Sequence, residues 1–157
     1  MHVDKGAYIL LMTLEGERSI GVGRLGELLF PAGYYLYSGS ALGGLRNRVR
    51  RHLRKDKKLR WHIDYLIQHA HVVEVWYTLT GHNIECRLCV TAACLPQAEV
   101  PVPGFGSSDC RCLSHLIYYS SQPSFKLFRD TFRTMDDCEL LRITELSPAA
   151  GIKFGHY

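Results

Sequence analysis

Apolar residues occur along this chain in short runs that are separated by turn signals. The runs at residues 6–14, 19–25, 28–30, 34–37, 71–80 and 116–119 predict strands. Glu15-Gly16-Glu17 and Pro31-Ala32-Gly33 predict turns between the early strands, and residues 39–44 predict a tight loop of small side chains. Short connections of this kind favour antiparallel pairing.

Helical spacing first appears after this loop. Leu45, Val49 and Leu53 recur at every fourth position, which predicts a helix over residues 45–54 with one buried face. Further helices are predicted over residues 61–70, 84–95 and 125–132. The chain of 157 residues fits one domain. We therefore expect an α/β (α+β) fold in which a small, mainly antiparallel sheet is flanked by helices.

Positive charge is concentrated in residues 46–60. This segment carries nine basic residues and one acidic residue, a net +8, whereas the rest of the chain carries ten basic and fourteen acidic residues, a net −4. A basic stripe on a mildly acidic body is typical of a surface that binds a polyanion; the alternative is a solvated helix end. The predicted nucleic-acid-binding residues are Arg46, Arg50, Arg51, Arg54, Lys55, Lys57 and Lys58.

The remaining composition excludes several classes of protein. No apolar run approaches the roughly 18 residues of a membrane-spanning helix, and the N-terminus lacks the apolar segment of a signal peptide. We expect a cytoplasmic protein without a membrane partner. In that compartment the six cysteines are expected to be reduced thiols or metal ligands rather than disulfides.

Two short triplets carry a family resemblance. Gly6-Ala7-Tyr8 and Tyr37-Ser38-Gly39 resemble the two signature triplets of the GIY-YIG nuclease superfamily. The wider strings GYYLYSGSALGGLRNRVRRH, RWHIDYL and FGSSDCRC resemble an uncharacterised branch of it, sometimes fused to a DNA-repair glycosylase domain. The resemblance implies a catalytic core over residues 5–95 and a C-terminal extension over residues 96–157. About 28 residues separate the two tyrosines, more than is usual in that family, which implies an extra hairpin over residues 19–30.

The same resemblance implies a site and a reaction. Tyr8, Tyr37, Arg48 and His52 are the predicted catalytic residues, and Glu85, at the start of a helix, is the predicted ligand of one Mg²⁺ or Mn²⁺ ion. A metal ion and a guanidinium would neutralise the charge on a phosphodiester under attack. A tyrosine acts as a base only if its pKa falls, which the arginine-rich helix was expected to cause. The general base is therefore left open among Tyr8, Tyr37 and His52.

The cysteines offer a second candidate cofactor, a structural zinc ion. Its predicted ligands are Cys86, Cys89, Cys110, Cys112 and His115. The alternative is that cysteines on the 84–95 helix are small core residues. Two other motifs have structural alternatives: His62 and Asp64 belong equally well to the site or to a helix cap, whereas for Ser107-Ser108-Asp109 a cap of the next segment is favoured over phosphate binding.

These features support a metal-dependent endonuclease that hydrolyses nucleic acid, with DNA the favoured substrate. The alternative is a non-catalytic nucleic-acid-binding module on the same scaffold. Only cleavage requires Glu85 and the tyrosines. The sequence leaves open DNA or RNA, strandedness, sequence specificity and oligomeric state, because phosphate contacts carry no base information.

Overall fold

The computed structural model describes residues 4–108 and 110–146. Over these residues the strands are β1 (Gly6–Leu14), β2 (Arg18–Gly21), β3 (Glu27–Phe30), β4 (Gly33–Ala41), β5 (His71–Leu79), β6 (Leu116–Tyr119) and β7 (Leu141–Ile143). The helices are α1 (Leu45–Leu53), α2 (His62–Ile67), α3 (Glu85–Cys94) and α4 (Phe125–Arg133). The elements confirm the predicted mixed α/β class.

Five strands form one antiparallel sheet in the order β6-β4-β1-β5-β7. β1 is central, because it pairs with β4 on one side and with β5 on the other. Its nine residues are almost all buried. β2 and β3 form a separate two-stranded hairpin, which confirms the predicted insertion between β1 and β4. β2 is shorter than the strand predicted over residues 19–25, because Gly23–Leu25 form a single 3-10 turn.

The sheet separates two cores, as the alternating side chains of β1 show. Tyr8 and Leu10 belong to one core, which also contains residues of α1, α2 and the hairpin. Ile9 and Leu11 belong to the other, which contains residues of α3 and α4. A strand covered on both faces has apolar residues at consecutive positions, which explains why residues 7–12 are a continuous apolar run.

Three elements differ from the predictions, and for the two strands the cause is pairing with residues that are distant in the sequence. β4 continues to Ala41, through part of the predicted 39–44 loop, because β1 is long enough to pair Gly6 with Ala41. α2 stops at Ile67 rather than residue 70. β7 was not predicted; it is only three residues long and pairs at the sheet edge with β5. The sequence predicts loose structure for the last dozen residues, and most of these lie outside the described residues.

Candidate active site and metal centre

A cleft of about 290 Å³ opens near the end of the sheet where β1 begins and β4 ends. Tyr8 on β1 lies opposite Gly39 on β4, and Tyr37 lies opposite Leu10, so the two tyrosines share one face of neighbouring strands. Both line the cleft, as the sequence predicted. The other lining residues are Gly39, Ser40, Arg48, Arg60, Trp61, His62, Glu85, Gly106, Ser108, Cys110 and His115.

Tyr8 is paired with a fully buried histidine. Its hydroxyl lies 2.6 Å from Nε2 of His52, one turn after Arg48 on α1. Gly39 permits this position, since a Cβ there would overlap the Tyr8 ring. Nδ1 of His52 is buried and, within the described residues, has no hydrogen-bond partner. His52 does not line the cleft and reaches it only through Tyr8.

Burial controls the protonation of these groups. It raises the pKa of Tyr8, and the nearby charge of Arg48 only partly offsets this. Burial also raises the pKa of Tyr37 well above its ordinary value. The charge of Arg48 on the arginine-rich helix lowers the pKa of both tyrosines, as expected, but burial outweighs it. Burial, reinforced by the charge of Lys57, lowers the pKa of His52 to about 3, so the imidazole is neutral at pH 7.

Arg48 is held against the cleft by two contacts. Its Nη1 donates to the carbonyl oxygen of Ser40 at 2.9 Å, and its guanidinium carbon lies 4.5 Å from the ring centroid of Trp61. Arg51 lies 4.1 Å from the same ring. Cation–π contacts of this kind limit the movement of an arginine side chain. Arg48 is therefore preorganised beside Tyr8 rather than extended into solvent.

The basic segment divides into internal and exposed charges. Arg51 donates to both carboxylate oxygens of Asp64, at 2.8 and 2.9 Å. Lys57 donates to carbonyls at the end of α1, and Lys55 to those of Ile67 and Ala70 at the end of α2. These three cations satisfy helix carbonyls and a buried carboxylate. The exposed members of the predicted set are Arg46, Arg50, Arg54, Lys55 and Lys58, whereas Arg51 and Lys57 are half-buried.

Asp64 is a structural residue in this arrangement. It is fully buried and accepts hydrogen bonds from the backbone N–H groups of Arg60 and Trp61, which confirms the capping alternative. His62 has a different role from a cap, since its Nδ1 accepts the N–H of Gly106 at 2.9 Å. The sequence did not predict Arg60, Trp61 or Gly106 as cleft residues.

Glu85 is the first residue of α3, as predicted, and its half-buried side chain lines the cleft. α3 packs on the opposite core of the sheet, so only its N-terminal end approaches Tyr8 and Tyr37. The charge of Glu85 is close enough to contribute to the raised pKa of both tyrosines. One carboxylate therefore lies beside the phenols and the arginine.

Three cysteines and one histidine form a cluster able to hold a metal ion, called here the Cys3His cluster. Its members are Cys86, Cys110, Cys112 and His115. Their ligand atoms all lie within 4.8 Å of one another, and Nε2 of His115 lies 3.2 Å from Sγ of Cys110 and 3.8 Å from that of Cys86. These separations suit tetrahedral coordination, in which metal–ligand distances are about 2.0–2.3 Å.

Cys89 was predicted as a fifth ligand, and this was wrong. One turn along α3 from Cys86, it is buried, and its thiol donates to the carbonyl of Ser114. It is thus a packed core cysteine. Within the cluster, burial lowers the pKa of His115 and so favours the neutral, ligating imidazole. Burial and hydrogen bonds with Cys112 and Cys110 raise the pKa of Cys86 to about 12; a bound cation would oppose this.

The Cys3His cluster and the cleft are contiguous. Cys110 and His115 line the cleft, and Cys86 follows Glu85 on α3. Asp109, part of the motif considered for phosphate binding or capping, lies outside the described residues. A larger groove of about 550 Å³ lies elsewhere, beside Arg87 and Asp136. It contains none of the predicted catalytic or metal-binding residues, so the smaller cleft is the candidate site.

The family model described as domain of unknown function DUF123 matches residues 7–137, and the chain therefore belongs to this family. No curated protein and no solved structure matches the chain. Membership of the GIY-YIG superfamily, or of its glycosylase-linked branch, was predicted wrongly, because the matching family is a distinct one and no GIY-YIG family model matches.

Packing offers one reason why the short triplets were misleading. Gly6 lies against the carbonyl of Thr78, and Gly39 lies against the ring of Tyr8, so a side chain fits at neither position. Glycine beside tyrosine on paired strands thus has a steric cause in this fold.

As for membranes, none of the helices within the described residues combines the length and apolarity that crossing a bilayer requires.

Proposed function

We propose that this protein is a metal-dependent endonuclease that hydrolyses phosphodiester bonds in the cleft, with DNA the favoured substrate. The observation that carries the proposal is the convergence of Arg48, the Tyr8–His52 pair and Glu85 on one cleft beside a strongly basic segment. Phosphodiester hydrolysis requires a phosphate clamp, a proton acceptor for water and charge neutralisation at the leaving oxygen. Each requirement has a candidate residue here.

Arg48 is the candidate phosphate clamp. A guanidinium has five N–H donors in a planar fork, and only one of those of Arg48 is assigned to Ser40. Its contact with Trp61 fixes the plane of the fork before substrate arrives. A preorganised donor of this kind stabilises developing negative charge more than a mobile one. Arg60, exposed and also in the cleft, adds a second positive charge.

Tyr8 and His52 are proposed to act together in proton transfer. Tyr8 is protonated at neutral pH, so it can accept a proton from water only while passing its own proton on. His52 is neutral and lies at 2.6 Å, which makes Nε2 a suitable acceptor. Its low pKa opposes the transfer, but the negative charge of a bound phosphodiester favours it. The base is then a pair rather than a single residue.

Glu85 is the proposed protein ligand of Mg²⁺ or Mn²⁺. Mg²⁺ keeps several waters and binds through one or two carboxylates together with substrate phosphate, so a single cleft carboxylate beside Arg48 fits this donor set. When bound, the ion supplies positive charge for the phosphorus and the leaving oxygen. Glu85 would hold that charge in the same cleft as Arg48.

The non-catalytic alternative has one observation in its favour. The raised pKa of Tyr8 and Tyr37 keeps both phenols protonated at neutral pH, whereas a binding module has no need of ionised tyrosines. The test is incubation of the purified chain with labelled single-stranded, duplex, flap and abasic DNA and with RNA. Cleavage of at least one substrate in Mg²⁺ or Mn²⁺, and of none in chelator, is expected. Binding without cleavage would support the alternative.

Nucleic-acid binding is expected to depend steeply on salt. With about four phosphates contacted, log K against log salt should have a slope of about −3 to −4, from 0.7–0.9 counterions released per phosphate. Arg50→Ala combined with Arg54→Ala removes two exposed charges of the segment, and should make the slope shallower by about 1.5. Fluorescence anisotropy at several salt concentrations measures this.

The matched control removes two exposed charges on the other side of the sheet. Lys126→Ala combined with Arg133→Ala changes α4, which packs with α3, and should leave the slope unchanged. Equal slopes for the wild type and the Arg50/Arg54 variant would exclude this part of the segment from the interface. Arg51 is unsuitable for such a test because its loss would also disturb Asp64.

We infer that the metal ion of the Cys3His cluster is zinc, because three thiols and an imidazole are the ligands that structural zinc prefers. One zinc per chain is expected in protein purified under reducing conditions. Cys112→Ala should lose it, whereas Cys94→Ala, on α3 but outside the cluster, should retain it. Elemental analysis measures the zinc content, and a full zinc content in Cys112→Ala would contradict the assignment.

Reduced thiols and a nucleic-acid substrate both suit a cytoplasmic location.

A further inference from the structure

One wall of the cleft is an irregular loop. Residues 105–115 include Gly106, Ser108, Cys110 and His115, all of which line the cleft. No helix or strand is assigned in this loop among the described residues. Among the described residues of 104–116, three backbone hydrogen bonds are internal to the segment: Gly104 N–H to the Leu113 carbonyl at 2.7 Å, His115 N–H to that of Phe105 at 2.8 Å, and Cys110 N–H to that of Ser107 at a long 3.4 Å.

The first turn of α3 lacks a capping hydrogen bond and is anchored instead by the buried Ile84 and Leu88. Its N-cap is Ile84, which has no side-chain oxygen and makes no capping hydrogen bond. The first N–H groups of a helix are therefore not satisfied by a cap, and an uncapped end frays more readily. Glu85, the proposed metal ligand of the cleft, lies in this turn. Its position thus depends on whatever else anchors the turn.

The Cys3His cluster connects these two elements. Cys86 comes from the first turn of α3, while Cys110, Cys112 and His115 come from the loop. A metal ion bound by all four would link the turn that carries Glu85 to the wall that carries Gly106 and His115. Four protein ligands fill a tetrahedral site and leave no position for substrate, so an ion there has a structural role.

We propose that this ion controls assembly of the cleft: with the ion bound, Glu85 and the 105–115 loop are held in place, and without it both lose order while the sheet stays folded. The sheet does not depend on the cluster, because β1, β4 and β5 pair along nearly their whole length and are buried on both faces. The catalytic consequence rests on the proposed nuclease function, but the ordering of the loop does not.

Hydrogen exchange of wild type, Cys112→Ala and Cys94→Ala tests the proposal. Cys112 is a cluster residue that does not line the cleft, so its replacement removes a ligand without altering the cleft surface. In Cys112→Ala, amides of residues 84–88 and 104–116 should exchange about tenfold faster or more, with β1 and β4 unchanged. Cys94→Ala should match wild type. Wild type stripped of zinc should match Cys112→Ala and recover when zinc is returned.

Three results would overturn the proposal. Cys112→Ala or the stripped protein could lack zinc yet keep wild-type exchange in both segments. Exchange could instead accelerate throughout the sheet, which would make the ion an element of global stability. Wild type could also contain and bind no zinc while both segments are protected. Cleavage is recorded separately, so a protein that cuts no substrate but shows the expected exchange pattern fails only the nuclease proposal.

Discussion

Glu85→Gln is expected to reduce cleavage by about 10²–10³-fold or more, while nucleic-acid binding and folding stay close to wild type. Glutamine preserves the shape of the side chain but removes the charge that a hard divalent cation needs. Glu85 lies in the cleft, whereas the exposed charges of the basic segment lie on and after α1. Substrate affinity should therefore change little, or rise as a nearby negative charge is lost.

The measurement for Glu85 pairs cleavage rate with affinity. Both are determined for the wild type, Glu85→Gln and the control Glu139→Gln, which removes an exposed carboxylate outside the cleft. The control should behave as wild type in both. If Glu85→Gln kept near-wild-type, chelator-sensitive cleavage, the catalytic ion would have another ligand. Zinc content is measured in each variant, because Glu85 adjoins Cys86 and a lost structural ion would also lower the rate.

Asp64→Asn is expected to lower the free energy of unfolding by about 3 kcal/mol or more, a cost typical of leaving one partner of a buried ion pair without its counter-charge. Asp64 is fully buried, and it accepts two hydrogen bonds from Arg51 and two from backbone N–H groups. Urea denaturation at pH 7 measures the loss. Asp56→Asn, at an exposed position of the same segment, should change stability by less than about 0.5 kcal/mol.

The same ion pair predicts how stability depends on pH. Burial raises the pKa of Asp64, but the hydrogen bonds from Arg51, Trp61 and Arg60 outweigh it and lower the pKa to about 2. Because the folded-state pKa is below the unfolded one, the stabilisation is present at neutral pH and is lost as pH falls from about 4 to 2. It amounts to about 2 kcal/mol. The difference between wild type and Asp64→Asn should narrow over this interval; a constant difference would contradict the ion-pair account.

Local patterns predicted those parts of the fold that depend on neighbouring residues. The spacing of Leu45, Val49 and Leu53 located α1, and the long apolar run of β1 located the central strand. The edge strand β7 and the full length of β4 depend on pairing with distant strands, which no local pattern contains. The hairpin was predicted from the family resemblance, because about 28 residues separate Tyr8 from Tyr37, more than is usual in the family that the triplets resemble.

The candidate site was predictable in its members but not in its chemistry. Charge counts could not show that Arg50 is exposed whereas Arg51 forms an ion pair, because the partner of Arg51 is the buried carboxylate of Asp64. Nor could they show that burial outweighs the arginines in setting the pKa of Tyr8. The Cys3His cluster joins α3 to a loop more than twenty residues later. Its four ligands could therefore be distinguished from other cysteines only with the fold in hand. Cys89 lies one turn along α3 from Cys86, and this position places its thiol in the core rather than in the cluster.

The central claim is that the cleft hydrolyses phosphodiester bonds with a divalent ion held by Glu85. Its most direct test is a time course of cleavage by the zinc-containing wild type, first in Mg²⁺, then after a chelator is added at a level that leaves the zinc bound, then after Mg²⁺ is restored. The account predicts that cleavage stops with the chelator, resumes with Mg²⁺, and is absent throughout in Glu85→Gln. A protein that binds nucleic acid but cuts no substrate in Mg²⁺ or Mn²⁺, or that cuts equally well in chelator, would contradict it.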